Sequence, residues 1–283
     1  MASQTSHNLV EKIYQTKNGK IYYYLSNFLS EKPLVVFLHG LTANHTQECQ
    51  IIRKLEEAGY RCLLLDLRGH GKSDKRKKRS LYKFDVFASD LLQILESEGV
   101  NKIILIGYSL GGSVALQFVK NYPKYVDRLI LIGTNFVSPF KYWRVKILLP
   151  FFQILLDTLA LLFVWQKRKE YYYFKSDESL TYWSSTILGF KTMPISVDFW
   201  ILRSIISVNF EPYLDKIKSP TLIIRSDSDP FVSEAESKAM SKRIANSELV
   251  FTNHKSHFID IEIQDEIADI VLNFLKKYEN CNF

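Results

Sequence analysis

Ile103-Ile104-Leu105-Ile106-Gly107-Tyr108-Ser109-Leu110-Gly111-Gly112 decides how the rest of the chain is read. Four branched apolar residues in a row predict a strand buried on both faces. Residues 107–111 spell Gly-x-Ser-x-Gly, and the apolar pattern of 114–119 continues as a helix. Strand, sharp turn and helix are the context in which that pentapeptide carries chemistry. The turn places Ser109 at its apex in a strained backbone conformation. Side chains at 107 and 111 would collide with the crossing strand and helix, and Gly107 and Gly111 remove that collision. The N–H of Leu110, at the start of the helix, favours negative charge developing beside Ser109.

The same alternation extends in both directions. Two β-rich runs, 13–16 and 21–25, flank Asn18-Gly19 and predict a hairpin. Strands are expected at 33–38, 61–65, 126–132, 221–224 and 249–251. Helices are expected at 47–58, 82–97, 234–244 and 263–276. Strands alternating with helices imply a parallel sheet with both faces covered.

Composition narrows the function classes. The chain has 283 residues, 47% hydrophobic and 24% charged, which fits a large core plus a smaller appended unit. Cys49, Cys62 and Cys281 are odd in number and lack metal-like spacing, which points to a reducing, cytoplasmic setting. No apolar stretch opens the chain, so no secretory signal is expected. No His/Cys/Asp cluster has ligand spacing and no phosphate loop occurs, so neither metal nor cofactor is expected. Lys75-Arg76-Lys77-Lys78-Arg79 reads as a solvated basic loop. With no aromatic residues interleaved it does not suggest nucleic acid, and attraction to an anionic membrane is its functional option.

The strand–turn–helix stretch resembles the nucleophile elbow of the α/β-hydrolase superfamily, and the resemblance runs along nearly the whole chain. It implies an α/β fold, a mostly parallel sheet flanked by helices. It also implies a catalytic order of serine, then acid, then histidine. Asp227 and Asp229 both follow the 221–224 strand. The family pattern fits Asp229 better, leaving Asp227 as a turn residue. His254 and His257 follow the last strand. Ser256-His257 with Glu262 five residues on matches the family's Gly-His motif, so His257 is the implied base and His254 a loop residue. His39-Gly40-Leu41 resembles the family's His-Gly turn. It makes the Leu41 N–H the second oxyanion donor beside that of Leu110. The stretch 66–73 resembles the family's Asp-x-Arg-Gly-His-Gly-x-Ser turn and reads as scaffold. His7 and His45 read as exposed.

The rhythm breaks between 136 and 212, which divides the chain into a core at 1–135, a helical cap at 136–212 and a second core part at 213–283. The break holds all four tryptophans, at 143, 165, 183 and 200, and a long apolar run at 147–165. That run is long enough to span a bilayer, but Asp157 opposes spanning. A buried or half-buried cap helix over an apolar pocket is expected, with contact to membrane or lipid as the further reading. Trp143, Leu155, Leu159 and Trp183 are the candidate pocket residues. The implied activity is a serine hydrolase that cleaves carboxylic esters with an apolar acyl or alcohol part through an acyl-serine intermediate. A carbon–carbon bond hydrolase, an acyltransferase, and a ligand receptor on the same fold with negligible turnover are the alternatives. A small apolar ester is the expected partner.

Overall fold

The apolar runs become neighbouring strands of one sheet. The computed structural model of the chain describes residues 9–138, 140, 145–166, 187 and 191–278. Trp143 and Trp183, two of the expected pocket residues, lie outside the described residues, as does His7.

Eight described strands pair in the order β1-β2-β4-β3-β5-β6-β7-β8. They are β1 (Leu9–Thr16), β2 (Gly19–Ser26), β3 (Leu34–Leu38), β4 (Cys62–Leu65), β5 (Ile103–Tyr108), β6 (Val126–Ile132), β7 (Thr221–Ser226) and β8 (Ser247–Thr252). β2 is antiparallel to both β1 and β4, and every other neighbouring pair is parallel. The hairpin turn falls on Lys17-Asn18, with Gly19 paired opposite Thr16. β3 to β6 are buried along almost their whole length, as continuous branched-apolar runs demand in a sheet covered on both faces.

Helices α2 (Phe84–Ser97) and α3 (Leu110–Asn121) cover one face, joined by α6 (Glu234–Arg243). Helices α1 (Cys49–Glu57) and α7 (Ile261–Lys277) cover the other. Between β6 and β7 lie α4 (Leu149–Leu162) and α5 (Ile195–Ile205).

The register sets where the chemistry can sit. Leu38 pairs with Gly107, Tyr108 with Ile132, Ile132 with Ile224, and Ser226 with Thr252. The loops that begin at His39, Ser109, Gly133, Asp227 and Asn253 therefore leave from one edge of the sheet.

The turn at 66–73 is fixed by buried charge. Arg68 is 1% exposed, and its guanidinium donates to both oxygens of Asp90 on α2, at 2.9 and 2.7 Å. It also donates to the Asn18 carbonyl at 2.8 Å, tying the turn to the hairpin. Asp66 accepts from the N–H of Lys72 at 2.8 Å and of His45 at 3.0 Å. His45 is therefore not the exposed residue expected. Its ring lies 2.9 Å from the Asp66 carboxylate and stacks on Tyr24 with centroids 3.4 Å apart. A fully buried carboxylate needs donors, and His45 supplies two.

Of the buried or half-buried helix expected at 147–165, the structure shows the half-buried form. α4 packs on α5 through Ala160, and Gln153 and Asp157 bond across to Ser207 and Arg203. The body carries the polar partners, so the narrow polar stripe turns inward and the apolar side faces solvent. Leu155 is 38% exposed, and Leu159 is half-buried.

Candidate active site

Ser109 sits between β5 and α3 with φ 50° and ψ −108°, a backbone strain that L residues rarely adopt. Its N–H donates to the Ile132 carbonyl at 2.9 Å, which pins the turn to the neighbouring strand. Both flanking glycines are required by close approach. A β-carbon at 107 would lie 2.5 Å from the Gly111 carbonyl oxygen, and one at 111 would lie 2.0 Å from that of Leu38. The start of α3 thus presses directly on the end of β3, bringing Leu110 and the His39-Gly40-Leu41 turn to the same place. Gly40 packs on the Tyr108 ring, where a β-carbon would approach to 2.8 Å. His39 accepts from the Leu67 N–H at 3.0 Å, and its Nδ1–H donates to the Gly40 carbonyl at 2.8 Å. Burial pushes its pKa down to about 4, so the ring braces the turn as neutral imidazole.

Asp229 and His257 arrive from the loops after β7 and β8. His257 Nε2 lies 2.9 Å from Ser109 Oγ, and His257 Nδ1 lies 2.7 Å from Asp229 Oδ2. The other carboxylate oxygen of Asp229 accepts from the N–H groups of Phe231 at 2.8 Å and Val232 at 2.9 Å. Burial works against charge on Asp229. The hydrogen bond and charge of His257, with those two N–H donors, nevertheless hold its carboxyl below the ordinary value. The structure brings Ser109, His257 and Asp229 into one hydrogen-bonded line, which is what nucleophilic catalysis by a serine requires.

The competing candidates lie elsewhere. Asp227 is exposed, and its backbone N–H bonds to Thr252. His254 Nε2 lies 3.1 Å from the Phe258 carbonyl, closing its own loop. No group of His, Cys, Asp and Glu among the described residues could hold a metal ion.

Several residues that shape the site were not anticipated from sequence. Gly133, at φ 52°, faces the His257 ring. The Tyr108 hydroxyl donates to the His257 carbonyl at 3.0 Å, and Ser226 Oγ donates to that of Ser256 at 2.6 Å. Phe231 and Phe258 stand edge-on to the imidazole, with centroids at 5.2 and 5.5 Å. The x positions of Gly-x-Ser-x-Gly and the aromatics bracketing Asp229 and His257 carried that signal.

Residues 33–262 match the family described as alpha/beta hydrolase fold. A 2-hydroxy-6-oxononadienedioate/2-hydroxy-6-oxononatrienedioate hydrolase of Klebsiella pneumoniae is 28% identical over 263 residues, 87% of this chain and 88% of that protein. Epoxide hydrolase 4 of Mus musculus is 34% identical over 43% of this chain, a match that spans 33% of that protein's length. An esterase from Exiguobacterium antarcticum superposes with a TM-score of 0.72 at 21% identity, over 94% of this chain and all of its own.

Proposed function

Because the chain belongs to the α/β-hydrolase fold family, we propose that it cleaves carboxylic esters with an apolar acyl or alcohol part through an acyl-serine intermediate at Ser109. The observation that carries this reading is the continuous hydrogen-bonded line from Asp229 through His257 to Ser109. Ser109 Oγ attacks the ester carbonyl while His257 Nε2 takes its proton. The ion pair with Asp229 stabilises the imidazolium that forms. The N–H groups of Leu41 and Leu110 receive the oxyanion. His257 returns its proton to the departing alcohol, then activates the water that releases the acid. Residues 136–212 serve as the cap. Its roof over the core comes from α5, whose Val197 and Ile201 lie against Gly69, and not from Leu155.

A carbon–carbon bond hydrolase is the second reading, supported by the match to the dienedioate hydrolase over most of both chains. The serine at the elbow disfavours the chemistry of epoxide hydrolases, which use an aspartate there.

Fluorophosphonate labelling, followed by a panel of esters, tests the proposal. Wild type labels at Ser109 and turns over esters. Ser109→Ala folds, does not label, and loses on the order of 10³–10⁶-fold in kcat. A folded Ser109→Ala protein with wild-type turnover would refute it. Turnover of a 2-hydroxy-6-oxo dienoate without any ester cleavage would select the second reading.

A further inference from the structure

Helix α4 turns its apolar side to solvent. Ile147, Phe151, Ile154, Leu161, Leu162 and Trp165 are each between 60% and 88% exposed. Steps of three and four residues, with Thr158 between Ile154 and Leu161 and with Leu161 and Leu162 side by side, make one continuous stripe. Thr158, which falls in that stripe, turns its hydroxyl back onto the Ile154 carbonyl at 2.9 Å, so it adds no outward-facing donor. The one charged residue of α4, Asp157, points to the body, where Arg203 and Arg79 both donate to it. The charge that would resist an apolar medium is thereby neutralised on the hidden side.

The basic run lies along the same helix. Arg79 reaches Asp157, and the Lys77 ammonium donates to the Val164 carbonyl just past the end of α4. Arg76, Lys78 and Arg79 are exposed. An apolar stripe is thus bordered by the exposed cations Arg76 and Lys78, while Lys75, Lys77 and Arg79 of the same run are held by the Gly71 carbonyl, the Val164 carbonyl and Asp157. Monomeric proteins rarely leave such a stripe uncovered. At about 21 Å, α4 is too short for the ~30 Å bilayer core. No described helix is long and apolar enough to cross a membrane.

We propose that this face seats on the surface of an anionic phospholipid bilayer. α4 lies flat, with its stripe at the boundary of headgroups and acyl chains and Arg76 and Lys78 against lipid phosphates. Charge selects this occupant over a second copy of the chain. A twofold pairing of stripes would bring two 75–79 runs together in a chain of net charge +7. The inference stands apart from the catalytic reading, because binding is measured without turnover.

Flotation with vesicles of phosphatidylcholine alone, or mixed with phosphatidylglycerol, tests it. Wild type floats with the anionic vesicles, and salt releases it as the screening length falls from about 10 Å at 0.1 M to 3 Å at 1 M. Phe151→Ser with Leu162→Ser removes exposed groups only. It keeps wild-type circular dichroism and cleavage of soluble short-chain esters, and binds at least tenfold more weakly, on the order expected for two buried apolar side chains. Lys78→Glu weakens binding roughly fivefold or more, on anionic vesicles only. If the double variant misfolds, Lys78→Glu and Trp165→Ser carry the same test. Undiminished flotation of these variants overturns the proposal. So does a concentration-dependent dimer, lost in the same variants, with no uptake by vesicles.

Discussion

Gly133 lies flat against His257: a β-carbon at 133 would come within 3.1 Å of the imidazole Cε1 and 3.3 Å of Nδ1. The residue after β6 thus sets how deep the ring can sit between Ser109 and Asp229. Its φ of 52° is also one that a β-carbon penalises. Gly133→Ala is expected to cost about 1–2 kcal/mol of stability. It should shift the ring by a few tenths of an ångström and lower kcat roughly tenfold, since misplacement by 1 Å costs about a hundredfold. Thermal unfolding and steady-state kinetics on one preparation check both. Wild-type kcat would mean the ring does not depend on this contact.

The two aspartates after β7 separate cleanly. Asp229→Asn leaves the histidine in the wrong tautomer and is expected to lose on the order of 10⁴-fold in kcat. Asp227 is exposed and its side chain does not reach the imidazole, so Asp227→Asn should stay within about twofold. Comparing the two variants on one ester decides it, and a reversed order would shift the acid by two positions.

Glu48 makes stability pH-dependent. It is fully buried, and neither carboxylate oxygen has a hydrogen-bond partner. Burial pushes its pKa from 4.5 up to about 8. The unfolded chain releases this proton near 4.5, while the folded chain keeps it until about 8. Its contribution to stability is therefore complete below 4.5 and declines as pH rises to about 8, by up to ~1.4 kcal/mol per unit. Glutamine does not titrate. Glu48→Gln should gain stability on wild type between pH 5 and pH 8, by about a few kcal/mol. Urea denaturation at the two pH values measures the difference, and a difference independent of pH would sink the idea.

Arg68 and Asp90 form a buried pair whose halves cannot be removed singly. Asp90→Ala leaves an uncompensated guanidinium and is expected to cost about 3–5 kcal/mol. Arg68→Met with Asp90→Leu should cost less than that single change. Chemical denaturation of wild type and the two variants tests this, and a double variant destabilised as much as Asp90→Ala would contradict it.

Much of the core was legible because its signals are local. Short branched runs such as 129–132, set between turn signals, read as buried strands, and Ser109 announces itself through the glycines that its turn demands. Asp229 and His257 needed a pattern of spacing as well, because Asp227 and His254 offer the same chemistry two and three residues away. What escaped was set by distant partners. Gly133 reads as an ordinary strand end until His257 arrives from beyond β8. His45 looks exposed until Asp66 requires a donor. The 147–165 run shows a polar stripe without saying which way it faces. Arg79, Arg203 and Ser207 decide that, and they are dozens of residues away.

Ser109 and His257 are separated by 148 residues of chain. At about 5–20 residues per second, a ribosome needs roughly 7–30 s to make that interval. During it the nascent polypeptide already carries the serine but has no base to activate it. The strained turn at Ser109 borrows its anchor from the Ile132 carbonyl, so that loop can settle once β6 has emerged. Reactivity must wait for β7 and β8 to add themselves to the sheet in turn. Stalled chains that stop short of Thr252 should stay at background with the fluorophosphonate, while the released polypeptide labels. On the proposed reading, the order of synthesis would act as a safety interval, in which the nucleophile is shaped first and armed last.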